Sequence, residues 1–144
     1  MKISILAVGL TLIGAANASP AATPTAHDLH AAQCVAALSA HTDSLALQVK
    51  AGNQDAAPML LSRLESGTAF VGDNLLHGDG DEARSRALVN DALGAQKSLT
   101  DAQLASRQAS CAEEGARLLA ASNGLERAVV KRWARKRMDK LLGS

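Results

Sequence analysis

Tyrosine is absent from this chain of 144 residues, and phenylalanine and tryptophan occur once each. Proteins that grip single-stranded nucleic acid stack bases on several aromatic side chains, and Phe70 with Trp133 cannot make such a platform. The β-branched and aromatic residues that suit a pleated sheet are equally scarce. Ala and Leu, which lose little side-chain entropy in a helix, supply most of the apolar content. This balance predicts an all-α fold, an antiparallel bundle of four to five helices stapled by one disulfide.

Cysteine is nearly as rare, with only Cys34 and Cys111, and neither has a second Cys close by. That excludes a C-x-x-C exchange site and a C-x-x-C-H haem attachment. No G-x-S-x-G elbow and no phosphate-cradling glycine loop occurs either. Asp79, Asp81 and Glu82 surround Gly80 without the alternating ligands and distal Glu of a calcium loop. Glu113 and Glu114 are adjacent, so on a helix they diverge by about 100° and do not form an acid–base pair. The expectation is a protein that is not an enzyme, with no cofactor and no assigned metal ligand.

The opening stretch, MKISILAVGLTLIGAANASPAATPTA, carries Lys2, an apolar run from Ile3 to Ile13, and the A-x-A triplet Ala16-Asn17-Ala18. The apolar run is shorter than the roughly 20 residues that span a bilayer. It reads as a secretory signal peptide over residues 1–18, cleaved after Ala18. Residues 19–25, with Pro20 and Pro24, read as a disordered leader. No Cys stands at the new N-terminus for lipid attachment, and no later stretch is apolar enough to anchor the chain. The expected location is a bacterial periplasm, with one helical domain over residues 26–144.

In an oxidising compartment two cysteines normally pair. Cys34 lies eight residues beyond Ala26 and Cys111 eleven before Ser122, which at 1.5 Å per residue is about 12 Å and about 16 Å along their helices. The first and fourth helices of an up-down-up-down bundle are antiparallel neighbours. The two sulfurs therefore sit at similar heights, and a Cys34–Cys111 disulfide is predicted.

Cap signals divide the remainder. Thr25 with Asp28 starts a first helix, which Gly52-Asn53 ends. A second runs from about Asp55 to Leu76, with Pro58 in its first turn and Gly67 marking a close approach or a break. A third follows the HGDGDEA loop, with Asp79 as its expected cap. Thr100 with Gln103 starts a fourth, and Asn123 with Glu126 a fifth, unless the last two are one bent helix. His27, His30 and Cys34 fall on one side of the first helix, a set of zinc or copper donors, although a disulfide removes the thiolate. His41, between Leu38 and Leu45, reads as a hydrogen-bonded rim or core histidine.

Charge is unevenly distributed. Ser19 to Leu125 holds seven basic and twelve acidic residues, and Glu126 onward holds seven basic and two acidic. In the last helix Val130, Trp133 and Leu141 read as core, while Lys131, Arg132, Arg135 and Lys136 face outward as the candidate interaction surface. That surface fits an unknown protein partner or an anionic envelope surface, and not nucleic acid, since the whole chain is close to neutral. The basic segment could also lie against the acidic remainder of its own fold.

The pentapeptide LTDAQ, Leu99 to Gln103, resembles the LTxxQ motif of the small all-helical periplasmic stress chaperones and sensors typified by Spy and CpxP. The resemblance implies a chaperone or stress-sensing role and carries no binding residues across. The residues themselves point to an exported, non-enzymatic bundle acting through protein or envelope-surface contacts, with a metal-binding protein as a further alternative. Intact-mass measurement of the exported protein should give a chain beginning at Ser19; a chain that retains Met1 would exclude the cleavage.

Overall fold

A computed structural model describes residues 23–78 and 81–143. The signal segment, most of the leader and Asp79 lie outside the described residues. The described residues form five α-helices: α1 (Ala26–Lys50), α2 (Ala57–His77), α3 (Glu82–Gln96), α4 (Asp101–Ala121) and α5 (Gly124–Leu142). A one-turn 3-10 segment, Gln54–Ala56, precedes α2, and the described residues contain no strand.

The helix starts follow from local hydrogen-bond chemistry. The first N–H groups of a helix have no partner within it, and a capping box supplies one from each end of a four-residue segment. Thr25 with Asp28, Thr100 with Gln103 and Asn123 with Glu126 all close such boxes. α3 begins instead with Asp81, which accepts from the Arg84 backbone N–H at 3.0 Å. Helical geometry starts at Glu82, so the capping position falls on Asp81 and not on Asp79. Ser122 is extended, with ψ 150°, so α4 and α5 are separate helices. Gly52 ends the α1 turn at φ 101°, a value that L-residues rarely adopt.

α1 and α2 form a central antiparallel pair, since His27 faces Asp73 at one end while Val49 and Leu60 share a core cluster at the other. α4 packs on both and runs antiparallel to α1, α5 packs chiefly on α2, and α3 chiefly on α1. The core has two parts. One surrounds the Cys34–Cys111 disulfide, with Ala31, Leu38, Phe70 and Ala112. The other joins Leu45, Val49, Leu60 and Leu64 to Ala134 of α5.

The disulfide, with a Cα–Cα distance of 5.2 Å, links residues 77 apart in sequence. Beside it, Gly115 meets Ser66 so closely that a Cβ there would stand 2.6 Å from the Ser66 carbonyl oxygen and 2.8 Å from its Cα. The Ser66 hydroxyl donates to the buried Ala112 carbonyl at 3.1 Å. Gly67 plays neither expected part. α2 runs through it unbroken, and a Cβ there would meet Leu38 at an ordinary 3.8 Å.

A polar chain ties α1, α2 and α3 at one end. Asp28, only 4% exposed, accepts from the Thr25 backbone N–H at 2.8 Å and from its hydroxyl at 2.7 Å, and from Asn74 Nδ2 at 3.1 Å. Asn74 Oδ1 in turn accepts from the Ser85 hydroxyl at 3.2 Å. The Thr25 hydroxyl, then its backbone N–H, hold the Asp28 carboxyl below the usual carboxylate range against the opposing effect of burial.

The two glycines should respond oppositely to alanine. Gly115→Ala should lower stability by about 1–3 kcal/mol through overpacking against backbone atoms, whereas Gly67→Ala should raise it by up to about 1 kcal/mol through helix propensity. Urea denaturation of the oxidised protein checks both, and equal effects would refute the packing described. Replacing Cys34 and Cys111 together by Ser should remove stability, with an upper bound of about 4.5 kcal/mol from loop-closure entropy.

Candidate functional site

α5 is held in place from both ends. The Arg127 guanidinium donates to the carbonyls of Leu119, Ala120 and Ser122 at 3.2, 2.8 and 2.9 Å, occupying oxygens that the end of α4 leaves without helical partners. Farther along, Val130 and the fully enclosed Ala134 enter the core, and Met138, Leu141 and Leu142 pack against it.

Trp133, expected in the core, is 62% exposed. The core seat facing α2 is filled by Ala134, and the neighbouring position points about 100° away from it. Leu125 (77% exposed), Val129 and Trp133 recur every four residues, so they form one outward stripe along α5. Val71, Leu75 and Leu76 continue this apolar surface on α2. Two open depressions flank the stripe. One, of about 430 Å³, lies over the end of α2 and is bordered by Leu76, Leu118, Leu125 and Val129. The other, of about 240 Å³, runs from Ala31, Val35 and Phe70 to Leu88 and Trp133. Leu75 borders both.

Lys131, Arg132, Arg135 and Lys136 are all exposed and line one shallow surface depression together with Asp139. Among the described residues none of the four makes an ion pair; the pairs formed are His27–Asp73, His30–Glu114, His77–Asp73 and Arg86–Glu82. Among the described residues the basic segment therefore makes no ion pair with the acidic remainder of the fold. Its apolar face meets α2, and its charges turn outward. At about 100° per residue, Arg132, Lys136 and Lys140 share the angular sector of the Leu125–Trp133 stripe, and Arg137 borders it.

The histidines are separated in a way that spacing along one helix does not reveal. His27 Nε2 lies 2.9 Å from Asp73 Oδ2 on α2, while His30 Nε2 lies 2.8 Å from Glu114 Oε2 on α4. The donor set His27, His30 and Cys34 is therefore not assembled. His30, Cys34 and Glu114 do bring ligand atoms within 4.8 Å of one another, but the Cys34 sulfur is bonded to Cys111 and is not a thiolate. His77 Nδ1 lies 2.9 Å from Asp73 Oδ1, a partnership readable from the i, i+4 spacing of Asp73 and His77. Asp73 and Glu114 as partners of the α1 histidines are visible only once the helices are packed.

His41 is half-buried, but its Nδ1 is enclosed without a hydrogen-bond partner among the described residues, as is Nε of Arg63. The expected hydrogen bond is thus missing at this nitrogen. Burial, and then the Arg63 cation, push the His41 pKa below the ordinary histidine value.

No family model, curated protein or solved structure matches this chain. Within LTDAQ, Gln103 Oε1 accepts from the Thr100 backbone N–H at 2.9 Å and from its hydroxyl at 3.2 Å, so these two residues serve the α4 capping box.

Because its folded pKa is lowered, His41 takes up a proton more readily in the unfolded chain. Stability from its neutral form is present above about pH 6.5 and declines as the pH falls from there through the folded value. His41→Gln should flatten that decline in urea midpoints measured across the acid range; an unchanged slope would assign it to other groups.

Proposed function

We propose that the protein is an exported, non-enzymatic helical bundle that docks peripherally on an anionic lipid surface of the envelope through α5 and the adjoining end of α2. The observation that carries this reading is the exposed stripe Leu125–Val129–Trp133 set among Lys and Arg side chains that have no ion-pair partner among the described residues. At a membrane interface Trp sits at headgroup depth. Lys and Arg lay their methylene stems along apolar surface while their charged ends reach phosphates. Each basic residue near an anionic surface contributes about 1 kcal/mol, so several are needed and α5 supplies them.

No helix among the described residues is long and apolar enough to cross a membrane, which agrees with attachment at the surface. Export is supported by the signal-like segment from Lys2 to Ala18 and by the disulfide. A second copy of the chain suits this face poorly, because two basic α5 helices would repel.

Removing α5 would be a poor test, since Ala134 belongs to the core. Point substitutions at exposed positions keep the fold. In co-sedimentation with phosphatidylglycerol-containing vesicles, the oxidised protein should bind at low salt and release at high salt. The variant with Lys131, Arg132, Arg135 and Lys136 all changed to Gln should lose the salt-sensitive part. Trp133→Ser should weaken binding by at least about tenfold. Equal sedimentation of wild type and the fourfold variant, or equal binding to neutral vesicles, would overturn the proposal and leave an acidic protein partner as the occupant to seek.

A further inference from the structure

We propose that in its dithiol form the chain holds one divalent transition-metal ion of the zinc class between α1 and α4, with His30, Cys34 and Glu114 as its ligands. His30 and Cys34 stand four residues apart on α1, so they share a face. Glu114 reaches them from the antiparallel α4, three residues beyond Cys111, the residue that Cys34 bonds in the oxidised chain. The ligand atoms of the three all lie within 4.8 Å of one another. Imidazole, thiolate and carboxylate are zinc donors, and three protein ligands leave the fourth position to water.

The spacing suits an ion. With metal–nitrogen and metal–oxygen bonds of about 2.0–2.1 Å, a metal–sulfur bond of about 2.3 Å and tetrahedral angles, nitrogen stands about 3.6 Å from sulfur and about 3.3 Å from oxygen. His30 Nε2 lies 3.8 Å from Cys34 Sγ and 2.8 Å from Glu114 Oε2. The first pair therefore closes slightly and the second opens by about half an ångström. The ion takes the Nε2 lone pair in the tautomer that carries its proton on Nδ1. The buried Phe70 ring meets the imidazole edge-on, with centroids 6.3 Å apart, and supports its orientation. The side chains of His30 and Glu114 are 52% and 36% exposed while Cys34 is buried, so an ion enters from solvent past the imidazole and carboxylate and meets the sulfur beneath them.

The Cys34–Cys111 bond and the ion exclude each other, because the metal ligand is a thiolate and a sulfur in a disulfide is not. A newly made chain carries both cysteines as thiols until an oxidising compartment pairs them. In that interval the ion fastens α1 to α4 at the level where the disulfide later stands, and so keeps Cys111 in register with Cys34. The change to the oxidised form balances with one oxidant of the disulfide class. The Cys34 sulfur leaves the ion, the Cys111 thiol loses its proton, and the two sulfurs bond. Their two electrons cleave the oxidant's own disulfide, and the Cys111 proton with one from solvent completes its two thiols. The ion departs with its charge unchanged, since His30 and Glu114 alone offer only two donors.

Anaerobic isothermal titration with zinc chloride, before and after treatment of the chelator-stripped protein with a phosphine reductant, tests the site. The reduced chain should bind one ion with a rise in thermal midpoint, and the oxidised chain should bind at least about tenfold more weakly. Cobalt chloride in place of zinc should give the near-ultraviolet absorption of a thiolate–cobalt bond in the reduced chain alone. His30→Gln and Glu114→Gln, both reduced, should each weaken binding by at least about tenfold, and His27→Gln should bind as the reduced wild type does. Cys34→Ser and Cys111→Ser lose the crosslink equally, so a difference between them reads the ligand: Cys111→Ser should bind without reductant, and Cys34→Ser should not bind. Absence of binding by the reduced chain, equal binding by the oxidised chain or by the two cysteine variants, or undiminished binding in His30→Gln or Glu114→Gln would overturn the assignment.

Discussion

The close approach of α4 to α1 and α2 is the constraint from which the rest of the structure follows. A chain with one Phe, one Trp and no Tyr cannot fill wide gaps between helices. Its apolar atoms are buried only if the backbones come near, because dispersion contacts fade within a fraction of an ångström. Gly115 lets α4 touch the Ser66 backbone, and the Cys34–Cys111 bond fastens α4 to α1 beside that contact. Alanine at positions 31, 36, 37, 46 and 112 then packs as core, where a larger side chain would hold the helices apart.

That arrangement fixes how the outer helices are used. With α4 drawn onto the central pair, α5 is left to cover the far cluster around Leu60, where Ala134 is fully enclosed and Met138, Leu141 and Leu142 pack around it. Ala134 at the centre of that contact lets α5 come close, and these four residues occupy one sector of the helix. The second apolar sector, Leu125, Val129 and Trp133, stays outside, beside the basic residues. Arg127 prevents the helix from turning about its axis by holding three carbonyls at the end of α4. The exposed stripe is thus a consequence of the tight core and not of a loosely packed terminus.

Features determined within four residues were legible in the sequence. The three capping boxes and the helix class depend on short-range hydrogen bonds and side-chain entropy, which neighbours along the chain decide. The disulfide was legible because helix rise converts sequence position into height. Trp133 was not. α5 has two apolar sectors, and a helical wheel does not say which one the neighbouring helix can accommodate. Gly67 and Gly115 are equally indistinguishable in sequence, since the difference lies in whether another backbone stands opposite. The pairing of His27 with Asp73 and of His30 with Glu114 likewise belongs to helix packing.

The last turn of α2 sets carboxylates at the edge of the proposed docking face. Asp73, His77 and Glu126 border the depression that also holds Leu76, Leu125 and Val129. A carboxylate at that edge opposes approach to anionic phosphates, and within about a Debye length of 8–10 Å the opposition is not screened away. Glu126 accepts from the Asn123 backbone N–H within the α5 capping box, which binds the carboxylate without removing its charge. Asp73 is held between the imidazoles of His27 and His77, each at 2.9 Å, which fixes its carboxylate at the rim. The basic residues of α5 therefore have to outweigh two carboxylates at this edge, so attraction to an anionic surface needs several of them acting together.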